Sequence, residues 1–134
     1  MRYERLDHTA DIMVRCTGGT LEECFENAAY ALSDQMLDAS LVEERESFDV
    51  DVSGDDLEEK LFAYLSEILF IMDSESVALC RFEVSFEGDH VTGKAYGEPL
   101  DLKKHHPKTE IKAITYHMMR IDPSVPELAV VFDA

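Results

Sequence analysis

Leu57-Glu-Glu-Lys-Leu-Phe-Ala-Tyr-Leu-Ser-Glu-Ile-Leu-Phe-Ile-Met72, followed after a polar break by Val77-Ala-Leu-Cys-Arg-Phe-Glu-Val-Ser-Phe86, decides the fold class of this chain. In the first stretch Leu57, Leu61, Tyr64, Leu65, Ile68, Leu69 and Met72 recur every three or four residues, the apolar stripe of a helix. Burying such side chains is worth roughly 1.5–3 kcal/mol each, so this is the strongest core element of the sequence. In the second stretch Ala78, Cys80, Phe82, Val84 and Phe86 fall on alternate positions, the pattern of a half-buried strand. Gly88-Asp89 then makes a tight turn, and Val91 to Gly97 returns as a hairpin partner.

Towards the N-terminus, Phe48, Val50 and Val52 alternate with Asp49 and Asp51 as a further strand, and Ser53-Gly54-Asp55 supplies a turn and the start of the helix. Thr20-Leu-Glu-Glu23 is a capping box that opens an earlier helix. Its apolar face is Leu21, Cys24, Phe25, Ala28, Ala29 and Leu32, and it ends near Met36–Asp38. Residues 3–7 and 12–17 read as short strands on either side of a polar break. Towards the C-terminus a polar loop, Leu100 to Thr109, precedes two strands at about Glu110–Ile121 and Leu128–Phe132. The expectation is one α+β domain over residues 1–134. It has a mostly antiparallel sheet of about seven strands, with two amphipathic helices packed on one face.

The charge excludes several functions. With a net charge of −17, and one basic residue (Arg45) among the fourteen acidic ones between Glu22 and Glu59, the chain repels phosphate backbones. Nucleic-acid affinity comes mostly from Lys and Arg displacing counterions, so strong direct RNA or DNA binding is not expected. Such a surface suits a basic protein partner, and it also serves solubility. No apolar run approaches the length of a membrane span, and the first residues lack the apolar stretch of a secretory signal, so cytoplasmic residence is expected. Cys16, Cys24 and Cys80 are odd in number and lack Cys-x-x-Cys spacing, so they read as reduced packing residues.

No phosphate-binding glycine loop, dinucleotide fingerprint or nucleophile elbow occurs. Two places carry more charge than structure requires. Asp7-His8-Thr9-Ala10-Asp11 crowds two carboxylates and an imidazole into a break between strands, an arrangement that an Asx turn would also explain. The apolar strand Val130-Val131-Phe132 ends in Asp133 and Ala134, which would equally suit a frayed, solvated tail. If that strand pairs beside the N-terminal strands, Asp11, Asp133 and the terminal oxygens of Ala134 converge, and clustered carboxylates repel one another unless a cation joins them. Hard oxygen donors suit Ca2+, Mg2+ or Mn2+, with His8 as a supporting group. A third feature is Lys112, with Glu110 and Tyr116 at even spacing on a strand face. The preceding loop carries Lys103, Lys104, His105, His106 and Lys108, and together these form the chain's one basic patch, fit to meet a phosphate or an acidic region of a partner.

Asp7-His-Thr-Ala-Asp-Ile12, Glu110-Ile-Lys-Ala-Ile-Thr-Tyr-His117 and the apolar strand ending in Asp133 together resemble the archease family over essentially the whole chain. The resemblance implies an α+β fold and a non-catalytic role as cofactor of the RtcB-type tRNA-splicing RNA ligase, which uses GTP and Mn2+. Family members promote its guanylation and allow multiple turnovers. The resemblance assigns a divalent metal, Ca2+ first, to Asp11, Asp133 and Ala134, and a functional lysine to Lys112. Ala134 departs from the bulkier apolar terminus of many members, so an end-anchoring side chain would be lost. The resemblance also allows a chaperone-like or specificity-modulating role towards a tRNA methyltransferase. A free-standing metal-dependent phosphoesterase is the remaining alternative.

Overall fold

The computed structural model describes residues 2–6 and 11–134; the break at 7–10, His8 included, lies outside the described residues. Thr20 caps the first long helix, α1 (Leu21–Met36), its Oγ1 accepting the Glu23 N–H at 3.1 Å. The Glu23 carboxylate reaches back to the Gly19 N–H at 3.4 Å, so the capping box closes one residue further out than usual. The second long helix, α2 (Leu57–Glu75), starts on Asp56, which accepts the Glu59 N–H at 2.8 Å, while Glu59 accepts the Asp55 N–H at 2.7 Å. Leu61, Tyr64, Leu65, Ile68, Leu69 and Met72 are buried as the stripe predicts, with Ile71 added and Leu57 half-buried.

Among the described residues seven antiparallel strands form, as expected, but in two sheets. β1 (Tyr3–Leu6), β2 (Ile12–Thr17), β7 (Glu127–Asp133) and β6 (Ala113–Asp122) lie side by side in that order. β3 (Glu46–Ser53), β5 (His90–Pro99) and β4 (Val77–Glu87) make the other sheet, with Gly88 at φ +62° in the β4–β5 turn, a conformation that costs glycine nothing. Both helices touch both sheets. The Phe25 ring of α1 meets Phe86 of β4 edge-on at 5.0 Å and Tyr64 of α2 at 6.1 Å, which joins the layers in one core. Alternation along a strand identifies its buried face but not its neighbour, which is why one sheet was expected and two are found.

Two local expectations are corrected. The polar loop after β5 contains a helical turn, α3 (Leu102–His105), capped by Asp101. The strand expected from Glu110 begins at Ala113 and is interrupted, with a register shift between Thr115 and Arg120 and a left-handed Met118 (φ 55°). Ile111, Ile114 and Met119 are all buried, and their spacing cannot bring them to one face of a regular strand. Ile111 precedes the strand, and within it the bulge restores the buried face: five steps from Thr115 to Arg120 face two from Val131 to Ala129, so Ile114 and Ile121 return to the same side, opposite Phe132 and Leu128. Among the described residues no helix is long and apolar enough to cross a membrane.

Candidate functional site

β7 lies between β2 and β6 and sets the geometry of the site. Ile12 and Ile114 both pair with Phe132, and these three residues form a buried row, 3%, 5% and 0% exposed. One step beyond that row, Ala113 pairs with Asp133, and the Lys112 N–H donates to the Asp133 carbonyl at 2.7 Å. Asp11 immediately precedes Ile12, so the β2–β7 ladder continued by one residue sets it against Asp133. Because successive side chains alternate, Asp11 and Asp133 belong to the face opposite the buried Ile12 and Phe132. Both are half-buried and Lys112 is exposed. Ala134 also lies at this corner, its methyl half-buried against the core, so a small anchor survives where a bulkier one was expected to be lost.

The fold thus brings Asp11, Asp133, Ala134 and Lys112 to one corner of the sheet, while His8 lies outside the described residues. The side chains gathered there are two carboxylates. Among the described residues no group of three or more His, Cys, Asp or Glu stands close enough to hold a metal ion. Among the described residues, further donors would be main-chain oxygens such as those of Ala134, which are hard oxygen atoms like the carboxylates.

The loop that leads to Lys112 differs from the sequence reading. His105 is fully buried; its Nε2 meets the Glu98 carboxylate at 2.9 Å while its Nδ1 accepts the Asp101 N–H at 3.0 Å. That second bond requires Nδ1 to be unprotonated, so the ring donates from Nε2. Glu98 also accepts the Glu43 N–H at 2.8 Å and lies 2.9 Å from Lys104 Nζ. Lys104, then the Glu43 amide and His105, hold the Glu98 carboxyl down at about 2. Lys108 donates to the Asp34 carbonyl at 3.0 Å, and its backbone N–H to the Met36 carbonyl at 2.9 Å. The basic patch read from the sequence is therefore largely committed to holding the loop in place. Lys104 and Lys108 are tied down and His105 is inside, which leaves Lys103, His106 and Lys112 as the patch's exposed remainder. Glu98 carried no signal in the sequence, because a single carboxylate beside a proline reads as a solvated strand end.

The model of the archease protein family (MTH1598/TM1083) matches residues 3–134. The chain belongs to the archease family. A protein archease of Pyrococcus abyssi is 47% identical over 125 residues, covering 90% of this chain and 88% of that protein. A protein archease-like of Drosophila melanogaster is 39% identical over 127 residues, covering 90% of this chain and 80% of that protein. Among solved structures, the solution structure of Methanobacterium thermoautotrophicum protein 1598 superposes with a TM-score of 0.86 at 36% identity, covering 99% of each chain. The crystal structure of a Thermotoga maritima archease described as a possible chaperone gives a TM-score of 0.65 at 25% identity, covering 98% of this chain and 96% of that one. In this archease the corner of Asp11, Asp133 and Lys112 stands at the meeting of three strands, and the Glu98–His105 pair fixes the loop that approaches it.

Proposed function

We propose that the chain is a non-catalytic accessory protein that activates a GTP- and Mn2+-dependent tRNA-splicing RNA ligase of the RtcB type, promoting the ligase's guanylation and multiple turnover. Family membership supports this reading, and the meeting of Asp11, Asp133 and Lys112 at one exposed sheet corner is the observation that carries it. Asp11, Asp133 and the main-chain oxygens of Ala134 would hold a hard divalent cation, Ca2+ before Mn2+ or Mg2+, and such an ion supplies positive charge to phosphate oxygens. Lys112 is exposed, and its backbone is tied to Asp133, so its ammonium swings from a fixed anchor. At the ligase that charge stabilises the triphosphate and departing pyrophosphate as the guanylate is transferred. The acidic body hastens encounter with a basic protein and repels RNA.

The test is labelled GTP incubated with ligase, with and without this chain, and resolved on a denaturing gel. Faster labelling of the ligase band supports the proposal; a labelled band at about 15 kDa, the mass of the chain itself, contradicts it. The description of the Thermotoga maritima protein as a possible chaperone favours a second reading, in which the chain protects a partner such as a tRNA methyltransferase. That reading predicts less partner aggregation and no change in guanylation.

A further inference from the structure

Phe62 of α2 and Tyr116 of the β6 bulge stack face to face at the surface, centroids 4.3 Å apart and planes 7° from parallel. Core aromatics of this chain meet at steeper angles inside the protein, but here Tyr116 remains 50% exposed and Met118 beside it 51% exposed. The two rings form part of a groove of about 350 Å3 that also takes in Gly54, Asp55 and Glu59. Gly54 is required there, since a Cβ on it would fall 2.6 Å from the Lys60 backbone nitrogen. The end of β3 is thereby pressed against the first turn of α2, with a carboxylate cluster next to the aromatic wall.

That cluster is Asp55, Asp56, Glu58 and Glu59, against which the same turn offers one cation, Lys60. None of the four carboxylates enters an ion pair among the described residues. Asp56 and Glu59 each accept one backbone N–H, which leaves lone pairs to spare. Burial, then the charges of Glu59, Asp56 and Glu58, push the Tyr116 hydroxyl up, so these carboxylates act at the ring itself.

We infer that this groove is a docking site for an arginine side chain carried on a basic segment of a protein partner. A guanidinium is flat, weakly hydrated and always charged; it stacks on an aromatic ring while its edge donors reach carboxylates. An ammonium fits such a slot less well, because it is compact and strongly hydrated. A phosphate would be repelled by four carboxylates. This inference rests on the reading of the chain as a protein-docking accessory factor and names its docking surface. Tyr116 lies on the strand whose first residue, Ala113, pairs with Asp133, so an occupied groove holds the partner beside the corner of Asp11, Asp133 and Lys112.

The test titrates the full 15N-labelled chain with acetyl-Gly-Arg-Gly-amide, and with the same peptide carrying lysine or neutral citrulline. Saturable shifts confined to residues 53–63 and 113–119 are expected, at least about fivefold weaker with citrulline. Tyr116→Ala weakens binding about fivefold or more, whereas Tyr116→Phe, which keeps the ring, stays within about twofold. Glu58→Gln, at an exposed helix position, reduces affinity without touching the stack. Equal shifts at Glu22 and Glu23, or unchanged binding in Tyr116→Ala, would overturn the inference. So would concentration-dependent shifts in these residues without peptide, which assign the groove to a second copy of the chain. No ligase enters this experiment, so its outcome is separate from that of the guanylation assay.

Discussion

The outer face of the β3–β5–β4 sheet and the corner where β2, β7 and β6 end are both charged, yet their charges are arranged in opposite ways. On the sheet face the basic groups are matched: Lys94 to Asp49 at 2.7 Å, His90 to Asp51 at 2.7 Å, and Arg81 to Glu44 and Glu83 at 2.7 and 2.8 Å. Arg81 also lies 3.9 Å over the Tyr96 ring. At the corner Asp11 and Asp133 end adjacent strands, and neither enters an ion pair among the described residues. A self-matched ladder needs nothing from outside. Neighbouring carboxylates favour a cation beside them, which is the role the proposed metal would fill. The ladder is accordingly a structural surface, and on the proposed reading the corner is where a cation and the partner are met.

The largest effects should come from the corner. Asp133→Ala and Lys112→Ala are each expected to lower the rate of ligase guanylation at saturating chain by about tenfold or more, with unfolding midpoints near wild type. Single-turnover labelling and thermal melts measure the two quantities separately, and a loss of activation that tracks a loss of fold would erase the contrast. The same comparison sharpens with metal. Calorimetric titration of Ca2+ or Mn2+ should give binding to the wild type and none to Asp11→Ala or Asp133→Ala, and unchanged affinity in both variants would remove these residues from the site.

A smaller effect belongs to the buried pair behind the corner. His105→Ala leaves the Glu98 carboxylate buried with one partner fewer, which should cost about 3 kcal/mol in urea unfolding while sparing the corner's own groups. Glu98 also leaves a signature in pH. Its folded pKa of about 2 lies below its ordinary value of 4.5, so the stability it contributes is complete above 4.5 and lost as pH falls towards 2. Glu98→Gln should flatten acid unfolding in that window, and an identical acid limb in both proteins would show the pair to be unimportant. Smallest of all is the ladder. Lys94→Ala, at an exposed pair, is expected to leave both the unfolding midpoint and guanylation close to wild type.

Much of this was legible in the sequence, and the failures have physical causes. The stripe of α2 and the capping residue Thr20 could be read directly, because helix periodicity and N-caps are local properties. The division into two sheets was not legible, since strand partners are chosen by packing and not by pattern. β6 misled because Ile111 is buried ahead of the strand, while its own Ile114 and Met119, five residues apart, are interrupted by a bulge. The corner was visible as excess charge, with two strand ends carrying carboxylates for which a strand has no use. His105 and Glu98 were not visible, because burial turned a histidine among lysines into an interior residue. Glu26 shows the same limit: it sits on the acidic surface of α1, yet its carboxylate accepts the Val84 N–H at 2.9 Å. Composition counts such a charge but does not say whether it is free.

The most direct test of the account is single-turnover guanylation of the ligase with GTP, run with no added chain, with wild type, and with Lys112→Ala at saturating concentration. Acceleration by the wild type is expected, with most of it lost in Lys112→Ala although the variant still binds the ligase. Guanylation that proceeds at one rate in all three reactions would contradict it.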